Sequence, residues 1–307
     1  MSSRDAREVR IGSRQLRLVN LGKVLYPQAG FSKAQVIDYY VGVSKVLLPH
    51  LRDRPLTLKR YPNGVDQPYF YEKRCPQHRP AWVRTAEADG IRFCLVNDLA
   101  SLVWVANLAD LELHVPLARA RSYDRPDQIV FDLDPGAPAD IVQCCEVGLL
   151  VRGLFESLGL RCYAKTSGSK GLQVYLPLNT PGVTYDETKP FARAVAELLE
   201  RERPAAIVSN MKKSLRTGKV LVDWSQNDPH KTTVCVYSLR AKERPTVSTP
   251  VTWQEVERCA RSGDAGTLTF DSQAVLRRLE SHGDLFAPLL KEKQKLPPLA
   301  TGRRISP

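Results

Sequence analysis

The sequence predicts a mixed α+β (α/β) fold in which short strands and helices share one core. Three observations lead to this prediction. Strand and helix patterns interleave along the 307 residues, but without the regular alternation of a doubly wound sheet. Hydrophobic residues make up 43% of the chain, which is enough for a sizeable core. Apolar strands that end in aspartate recur, and we expect them to meet in one central sheet.

The elements follow one another in a readable order. A capping box of Ser32 and Gln35 predicts a helix that continues to about Leu48, because apolar residues follow at helical spacing. Turn residues and apolar periodicity predict the remaining elements. They are a strand and turn in "RPLTLKRYPNG", a buried helix over 97–112 capped near Asn97 or Asp98, the strand "IVFDLDPG" at 129–136, a helix over 139–158, a strand over 161–166, the loop "SGSKG", the strand "LQVYLPL", a helix over 187–202, the strand "KVLVDW" and a helix that starts near Thr252.

Residues 1–290 are expected to form a single domain, and the basic, proline-containing segment 291–307 is expected to be flexible. No apolar run is long enough to predict a membrane span. The N-terminal "MSSRDAREVR" lacks the apolar centre of a signal peptide, so the cytoplasm is the expected compartment.

The charge and the cysteines narrow the possible partners. A net charge of +12 favours a polyanion such as nucleic acid, although many basic proteins bind none. Seven cysteines without a CxxC motif predict buried, reduced thiols. Cys75 and His78 have the spacing of half a zinc site, but the other half is not visible, so we expect no zinc.

The strand "IVFDLDPG" carries two carboxylates, Asp132 and Asp134, on one face at roughly 7 Å, because side chains alternate along a strand. Their burial would be costly without cations. Asp223 ends the apolar run "VLVD" in the same way. Three such acids indicate a site for two divalent ions, which oxygen ligands suit. The alternative is that each aspartate is a strand-end cap or a surface residue.

Two segments are candidate anion sites. The loop "KTSGSKG" offers glycines, hydroxyl groups and Lys170 to a triphosphate, although it is not a Walker A motif and also fits a solvated turn. Lys33 lies in the first turn of the capped helix, where free backbone N–H groups and the helix dipole attract anions. Asn20 and Lys23 could reach the same anion, but an ordinary exposed lysine is the alternative. In "DQPYFYEK", Phe70 and Tyr71 could stack on bases or pack in the core.

Taken together, the motifs "IVFDLDPG", "KTSGSKGLQVYLPL", "KSLRTGKVLVDWSQNDPHKTT" and "YSLR…PTVSTPVTW" resemble the polymerase domain of bacterial end-joining ligases of the LigD type. That family belongs to the archaeo-eukaryotic primase superfamily. The resemblance runs from about Leu18 to about Leu290. It implies a primase-type catalytic core of central mixed and antiparallel sheets flanked by helices. No ligase or nuclease segment is visible, so a stand-alone polymerase is expected.

The resemblance also implies a role for each matching residue. Asp132, Asp134 and Asp223 would hold two ions of manganese or magnesium. Three further sets of residues match family positions with a binding role. The positions that contact the nucleotide match Lys59, His114, Ser167, Lys170, Arg216, Gln226 and Arg240. Those that contact the 5′-phosphate of a DNA end match Asn20, Lys23 and Lys33, and those that stack on the template match Phe70 and Tyr71. Gln173 departs from the family, since primase-type enzymes often have histidine there.

The implied activity is DNA-dependent nucleotidyl transfer, in which NTPs or dNTPs are added to primer 3′ ends at gaps or breaks during repair. Family habit favours ribonucleotides. The implied partners are a gapped or broken duplex with a 5′-phosphate, Ku and a separate DNA ligase, at the nucleoid. Two alternatives are a haloacid-dehalogenase-like phosphatase, which also uses a DxD strand, and a non-catalytic DNA-binding module, which would explain the charge but not the aspartates.

Overall fold

The computed structural model describes residues 6–298. Six α-helices and sixteen strands in this range, together with short 3-10 turns, form the mixed α+β fold that the sequence predicted. The helices are α1 (Lys33–Leu51), α2 (Leu99–Asn107), α3 (Ile141–Ser157), α4 (Tyr185–Glu202), α5 (Trp253–Ser262) and α6 (Ser272–His282). The strands are β1 (Ala6–Ile11), β2 (Arg14–Val19), β3 (Val24–Tyr26), β4 (Phe31–Ser32), β5 (Thr57–Arg60), β6 (Phe70–Glu72), β7 (Thr85–Ala88), β8 (Ile91–Cys94), β9 (Asp110–Val115), β10 (Gln128–Pro135), β11 (Tyr163–Thr166), β12 (Leu172–Pro177), β13 (Ile207–Val208), β14 (Val220–Asp223), β15 (Thr233–Val234) and β16 (Pro250–Val251).

The larger sheet has six strands in the order β13-β14-β10-β12-β11-β16, and only the β13–β14 pair is parallel. Along β10 the side chains of Ile129, Phe131 and Leu133 enter a core that α3, α4 and α5 share. Because side chains alternate, Val130, Asp132 and Asp134 point to the opposite face. Strand β10 therefore buries apolar residues on one side and presents its acids on the other.

The second sheet has the antiparallel order β15-β9-β5-β6. It packs with α1 and α2 into a second core, to which Val130 and Tyr175 of the larger sheet also contribute. A cavity lies between the two sheets, since residues of β9, β10, β12 and β15 all line it. The acidic face of β10 opens onto this cavity.

The predicted start of α1 is confirmed. Gln35 donates its backbone N–H to the Ser32 hydroxyl at 3.4 Å, and the Gln35 side chain accepts from the Ser32 backbone at 2.8 Å. The predicted helix over 97–112 is wrong in its second half, because α2 ends at Asn107 and β9 begins at Asp110. The run "DLELHV" has the alternation of a strand, and pairing with β5 and β15 stabilises it as one.

Two further expectations need correction. Cys75 and Cys94 form a disulfide, with 4.8 Å between their Cα atoms, so the prediction of seven reduced thiols is wrong; the fold brings the chain after β6 beside the end of β8. The cysteine sulfur is then not available as a thiolate ligand, although the absence of zinc stays a prediction. The other five cysteines are free and buried.

The segment 291–307, which the sequence predicted to be flexible, makes contacts with the domain through its first residues. The Gln294 side chain accepts from the Arg161 backbone N–H at 2.7 Å, and the Gln294 backbone N–H donates to Leu178 at 2.9 Å, so this segment is attached next to β12. Residues 299–307 lie outside the described residues. Within 6–298, no helix is long and apolar enough to cross a membrane.

Candidate active site

Strand register brings the three predicted aspartates together. Asp132 lies directly opposite Asp223 on β14 and opposite Gln173 on β12. Residues opposite one another in an antiparallel pair point to the same face, and Asp134 lies two residues along the same strand. The three carboxylates therefore share one end of the cavity-facing side of the sheet.

The burial and mutual repulsion of these acids favour the binding of a cation. Burial, and then the charges of Asp134 and Asp223, raise the pKa of Asp132 above its ordinary value. Burial and the charge of Asp223 likewise raise the pKa of Asp134, which Arg216 and Arg240 partly oppose. The Asp132 Oδ1 atom is buried without a hydrogen-bond partner in the described part of the chain. An unpaired acceptor among like charges is a site where a bound cation would relieve both costs.

Asp223 is held differently. Its Oδ1 atom accepts from the Ser225 backbone at 2.8 Å and from the Ser225 hydroxyl at 2.6 Å, and its Oδ2 atom accepts from Gln226 at 3.0 Å. Among residues 6–298, no three acidic, histidine or cysteine side chains already surround a single point that could hold an ion. A divalent ion would therefore have to draw these carboxylates together.

The row of polar side chains continues across the sheet to a lysine that the sequence reading missed. Lys165 on β11 lies opposite Gln173 and is only 1% exposed. Its ammonium group donates to Gln173 Oε1 at 2.5 Å and to the Ser248 hydroxyl at 2.6 Å. Burial lowers the pKa of Lys165 to about 7, although Asp132 opposes this shift.

The contact with Lys165 gives a role to Gln173, which stands where primase-type enzymes often have histidine. Lysine has donors only, so it must face the Gln173 oxygen, and the Gln173 amide N–H₂ is left for another acceptor. A hydrogen bond with Gln173 lowers the pKa of Asp132 and so opposes the burial that raises it. Gln173 can therefore favour the ionised form of the acid without exchanging a proton.

The acids open into a cavity of about 210 Å³ in which most of the predicted nucleotide residues meet. Its walls include seven of the predicted residues, namely His114, Asp132, Asp134, Ser167, Lys170, Gln226 and Arg240. The Ser167 hydroxyl closes the "SGSKG" loop by accepting from the Ser169 and Gly171 backbones. Glycine is required at 171, because a Cβ there would collide with the Leu133 carbonyl oxygen.

Lys59 and Arg216 lie beside this cavity rather than in its wall. Arg216 donates to the Met211 carbonyl at 2.6 Å, and its charge lowers the pKa of Asp134 against the effect of burial. Lys59 forms an ion pair with Glu112, a buried acid of β9. The sequence did not predict a role for Glu112, because this segment was interpreted as part of a helix. Its signal was the strand alternation of "DLELHV", which puts Asp110, Glu112 and His114 on one face.

A second cavity, of about 220 Å³, gathers all three residues predicted for the 5′-phosphate: Asn20, Lys23 and Lys33. Arg60 lines it as well, which adds a cation that the sequence reading did not include. Lys23 donates its ammonium group to Asn63 at 2.8 Å, and Lys33, which is 5% exposed, donates to the Val19 carbonyl at 2.8 Å.

The expected free amides at the start of α1 are not free. The Lys33 backbone N–H donates to the Lys23 carbonyl at 2.8 Å, and the Ala34 backbone N–H donates to the Leu21 carbonyl at 3.0 Å. The third amide, that of Gln35, donates to the Ser32 cap. The prediction of exposed helix amides is therefore wrong, and an anion in this cavity would be held by side chains.

Phe70 and Tyr71 are both exposed on β6, by 43% and 55%. As neighbours on a strand they point to opposite faces. Tyr71 pairs with Lys59 and lies with its ring 6.0 Å from that of His114, whereas Phe70 pairs with Arg60, whose guanidinium lies 5.1 Å from its ring. Tyr71 thus lies on the side of the cavity that His114 lines and Phe70 on the side of the cavity that Arg60 lines, so the two rings point to opposite faces of β6.

Comparison with known proteins identifies the family to which the chain belongs. A profile described as "LigD, primase-polymerase domain" matches residues 32–286. The chain belongs to this family. The LigD primase-polymerase domain is a nucleotidyltransferase, and the predicted resemblance is confirmed.

Individual relatives agree. The chain is 43% identical over 281 residues to the multifunctional non-homologous end joining protein LigD of Mycolicibacterium smegmatis, covering 90% of this chain and 36% of that protein. It is 31% identical over 283 residues to the bifunctional LigD of Bacillus subtilis, covering 92% and 45%. The chain thus spans less than half the length of these two relatives.

The structure is also similar to the polymerase domain of Mycobacterium tuberculosis Ligase D, solved in complex with DNA. The TM-score is 0.82 at 40% identity, and the match covers 91% of this chain and 99% of that one. This LigD-family chain therefore has the fold of a primase-type polymerase domain, as the sequence predicted.

Proposed function

We propose that this chain adds nucleotides to primer 3′ ends at gaps or breaks in DNA, as a repair polymerase in end joining. The observation that supports this proposal is the cavity in which Asp132 and Asp134 face Ser167, Lys170 and Arg240. The acids would bind metal ions, and the basic side chains suit a triphosphate. A phosphoryl-transfer site needs both. A phosphatase would also bind phosphate in such a cavity, so the product released, pyrophosphate or inorganic phosphate, separates the two functions.

The side chains divide the work by their chemistry. Asp132, Asp134 and Asp223 would hold two divalent ions, manganese or magnesium, which when bound neutralise phosphate charge and increase the acidity of a hydroxyl nucleophile. Lys170 and Arg240 offer positive charge to the triphosphate. The closed "SGSKG" loop fixes the backbone that carries Ser167 and Lys170, so the protein contributes placement and charge rather than covalent chemistry.

The DNA would lie across both cavities. Lys23, Lys33 and Arg60 would hold a 5′-phosphate, and Tyr71 would contact the template near the nucleotide, while Phe70 would contact DNA on the other side of β6. The similar polymerase domain of Mycobacterium tuberculosis Ligase D binds DNA, which supports a DNA substrate here. Ribonucleotides, Ku and a separate ligase belong to the proposal as family expectations, and a DNA substrate would locate the protein at the nucleoid.

The deciding experiment is extension of a primer on a gapped duplex with manganese, supplied with NTPs or dNTPs. We expect single-nucleotide addition with release of pyrophosphate, and more of it with NTPs. Asp132→Ala and Asp134→Ala should abolish addition while DNA binding persists, because the ions are lost but the basic surface is not. Release of inorganic phosphate in place of pyrophosphate would indicate a phosphatase, and DNA binding without either product would indicate a binding module.

A further inference from the structure

Glu112 lies where three residues that the family resemblance assigns to the nucleotide converge. It is directly opposite Lys59 across the β5–β9 pair, and His114 is two residues along the same strand, so all three side chains share one face. Arg240 approaches from the chain after β15. Glu112 is 1% exposed and carries a charge, and a charged residue this deeply buried requires partners.

The oxygens of Glu112 are fully used. Its Oε1 atom accepts from the Ala241 backbone at 3.0 Å. Its Oε2 atom lies 3.0 Å from His114 Nε2, 3.3 Å from Lys59 Nζ and 3.4 Å from Arg240 Nε. One carboxylate oxygen therefore gathers three side chains that the family resemblance assigns to the nucleotide.

The carboxylate is ionised in this environment. Burial alone would raise the pKa of Glu112, but the hydrogen bond with His114 and the charges of Arg240 and Lys59 outweigh it and hold the pKa well below its ordinary value. An ionised carboxylate has no proton to donate, so His114 must donate from Nε2. Glu112 thereby selects the tautomer of His114 as well as its orientation.

The contacts of Arg240 extend this arrangement to the triphosphate loop. Arg240 also donates to the Ser167 carbonyl of the "SGSKG" segment. Without Glu112, the positive charges of Lys59 and Arg240 would repel each other, and Arg240 would lose one of the two anchors that hold it between β9 and the loop.

We infer that Glu112 is the positioning residue of the nucleotide pocket, a buried anion that holds Lys59, His114 and Arg240 in one arrangement before the nucleotide arrives. This inference rests on the proposed function, since it assigns the pocket to a nucleotide. Glu112 itself acts through its three partners and is not a catalytic residue.

The test is Glu112→Gln, which keeps the shape of the side chain and removes its charge. We expect the KM for the nucleoside triphosphate to rise by about tenfold or more, with the affinity for gapped DNA unchanged, because one charge-assisted set of contacts is lost. The matched control is Asp127→Asn, which removes a carboxylate held by Arg54 and Arg119 outside the pocket. The control should lower stability but leave the KM unchanged.

A second measurement is independent of turnover. Burial lowers the pKa of His114, and Glu112 opposes this shift, while Arg240 and Lys59 add to it. In Glu112→Gln the His114 pKa, followed by NMR, should fall further. If that variant does not fold, Glu112→Asp, which keeps the charge on a shorter side chain, should show a smaller rise in KM.

A folded Glu112→Gln protein with the wild-type KM, or with an unchanged His114 pKa, would overturn the inference while leaving the polymerase proposal intact. Conversely, if the wild-type protein adds no nucleotide, the proposed function fails, and the His114 titration by itself decides whether Glu112 holds the cluster.

Discussion

Single residues in this protein act mainly through charges that they hold in place. The second cavity is an example, because Lys23, Lys33 and Arg60 reach it from three separate segments and each already has a protein acceptor. Arg60 pairs with Glu72 at 2.7 Å, which neutralises part of its charge, so we expect the two lysines to contribute most to anion binding. With the amides of α1 already used, these side chains would be the groups that bind the terminal phosphate of the proposed DNA end.

At this scale we predict that Lys23→Met/Lys33→Met removes the preference for a 5′-phosphate over a 5′-hydroxyl at a gap. Each charge-assisted contact contributes about 1.5–3 kcal/mol, so affinity for the phosphorylated duplex should fall at least about a hundredfold. Binding to both duplexes is measured at one fixed salt concentration. The control, Lys45→Met/Lys293→Met, removes two exposed lysines elsewhere. An equal loss for both duplexes in the first variant would mean that its lysines add only general charge.

At the scale of elements, helix α1 carries the second cavity on its first turn. Its capping box fixes where the helix begins, and the Lys33 and Ala34 amides attach that turn to the carbonyls of Lys23 and Leu21. The hydrogen bonds in which the first amides of α1 donate therefore also hold Lys33 beside Lys23.

We predict that Ser32→Ala lowers the free energy of unfolding by about 1 kcal/mol, the usual effect of losing a cap. It should also weaken selection for a 5′-phosphate, because the first turn of α1 loses one of the hydrogen bonds that hold it in place. Denaturant unfolding and the two duplex affinities are the measurements. Thr252→Ala removes the equivalent capping box of α5 and should cost similar stability without any change in phosphate preference. Equal phosphate selection in both variants would contradict the link between cap and cavity.

At the scale of the whole molecule, Asp284 connects distant parts of the chain. It accepts from the Tyr237 hydroxyl at 2.7 Å and from its neighbour Phe286 at 2.9 Å, and lies 3.2 Å from His50 of α1. Burial would raise the pKa of Asp284, but the hydrogen bond with His50 and its charge, followed by the hydrogen bond with Tyr237, hold it below its ordinary value. One carboxylate thus joins α1, the segment after β15 and the C-terminal part of the core.

We predict that Asp284→Asn lowers the free energy of unfolding by about 1–3 kcal/mol at pH 7. Because the folded-state pKa is depressed, this stabilisation is present above about pH 4, the unfolded value, and is lost as the pH falls through the folded value. Urea unfolding of both proteins from pH 7 to pH 3 should show the difference shrinking with acidity. A difference that stays constant over this range would mean that the charge of Asp284 does not contribute.

The sequence predicts those parts of the candidate site in which the interacting residues are close together in the chain. Asp132 and Asp134 were recognisable because two acids on one face of an apolar strand have an unfavourable burial energy that a cation would relieve. Likewise, Ser32 with Gln35 defines the start of α1 by contacts three residues apart, and the SGSKG loop is closed by its own hydroxyl and amides. In each case the partners are near one another in the chain, so the pattern itself contains the interaction.

Only the tertiary structure decided what depends on partners far apart in the chain. Whether the α1 amides are free was decided by carbonyls of Leu21 and Lys23, and whether Cys75 is reduced was decided by the approach of Cys94. The strand state of 110–115 depends on pairing with β5 and β15, and reading it as a helix concealed Glu112. Lys165 was equally hidden, because a lysine is ordinarily exposed and one of the two side chains that hold it, Ser248, is distant in the sequence. The sequence by itself determined which residues carry charge and that the strands of Asp132 and Asp223 are buried; the packing of the two sheets determined which of those charges meet.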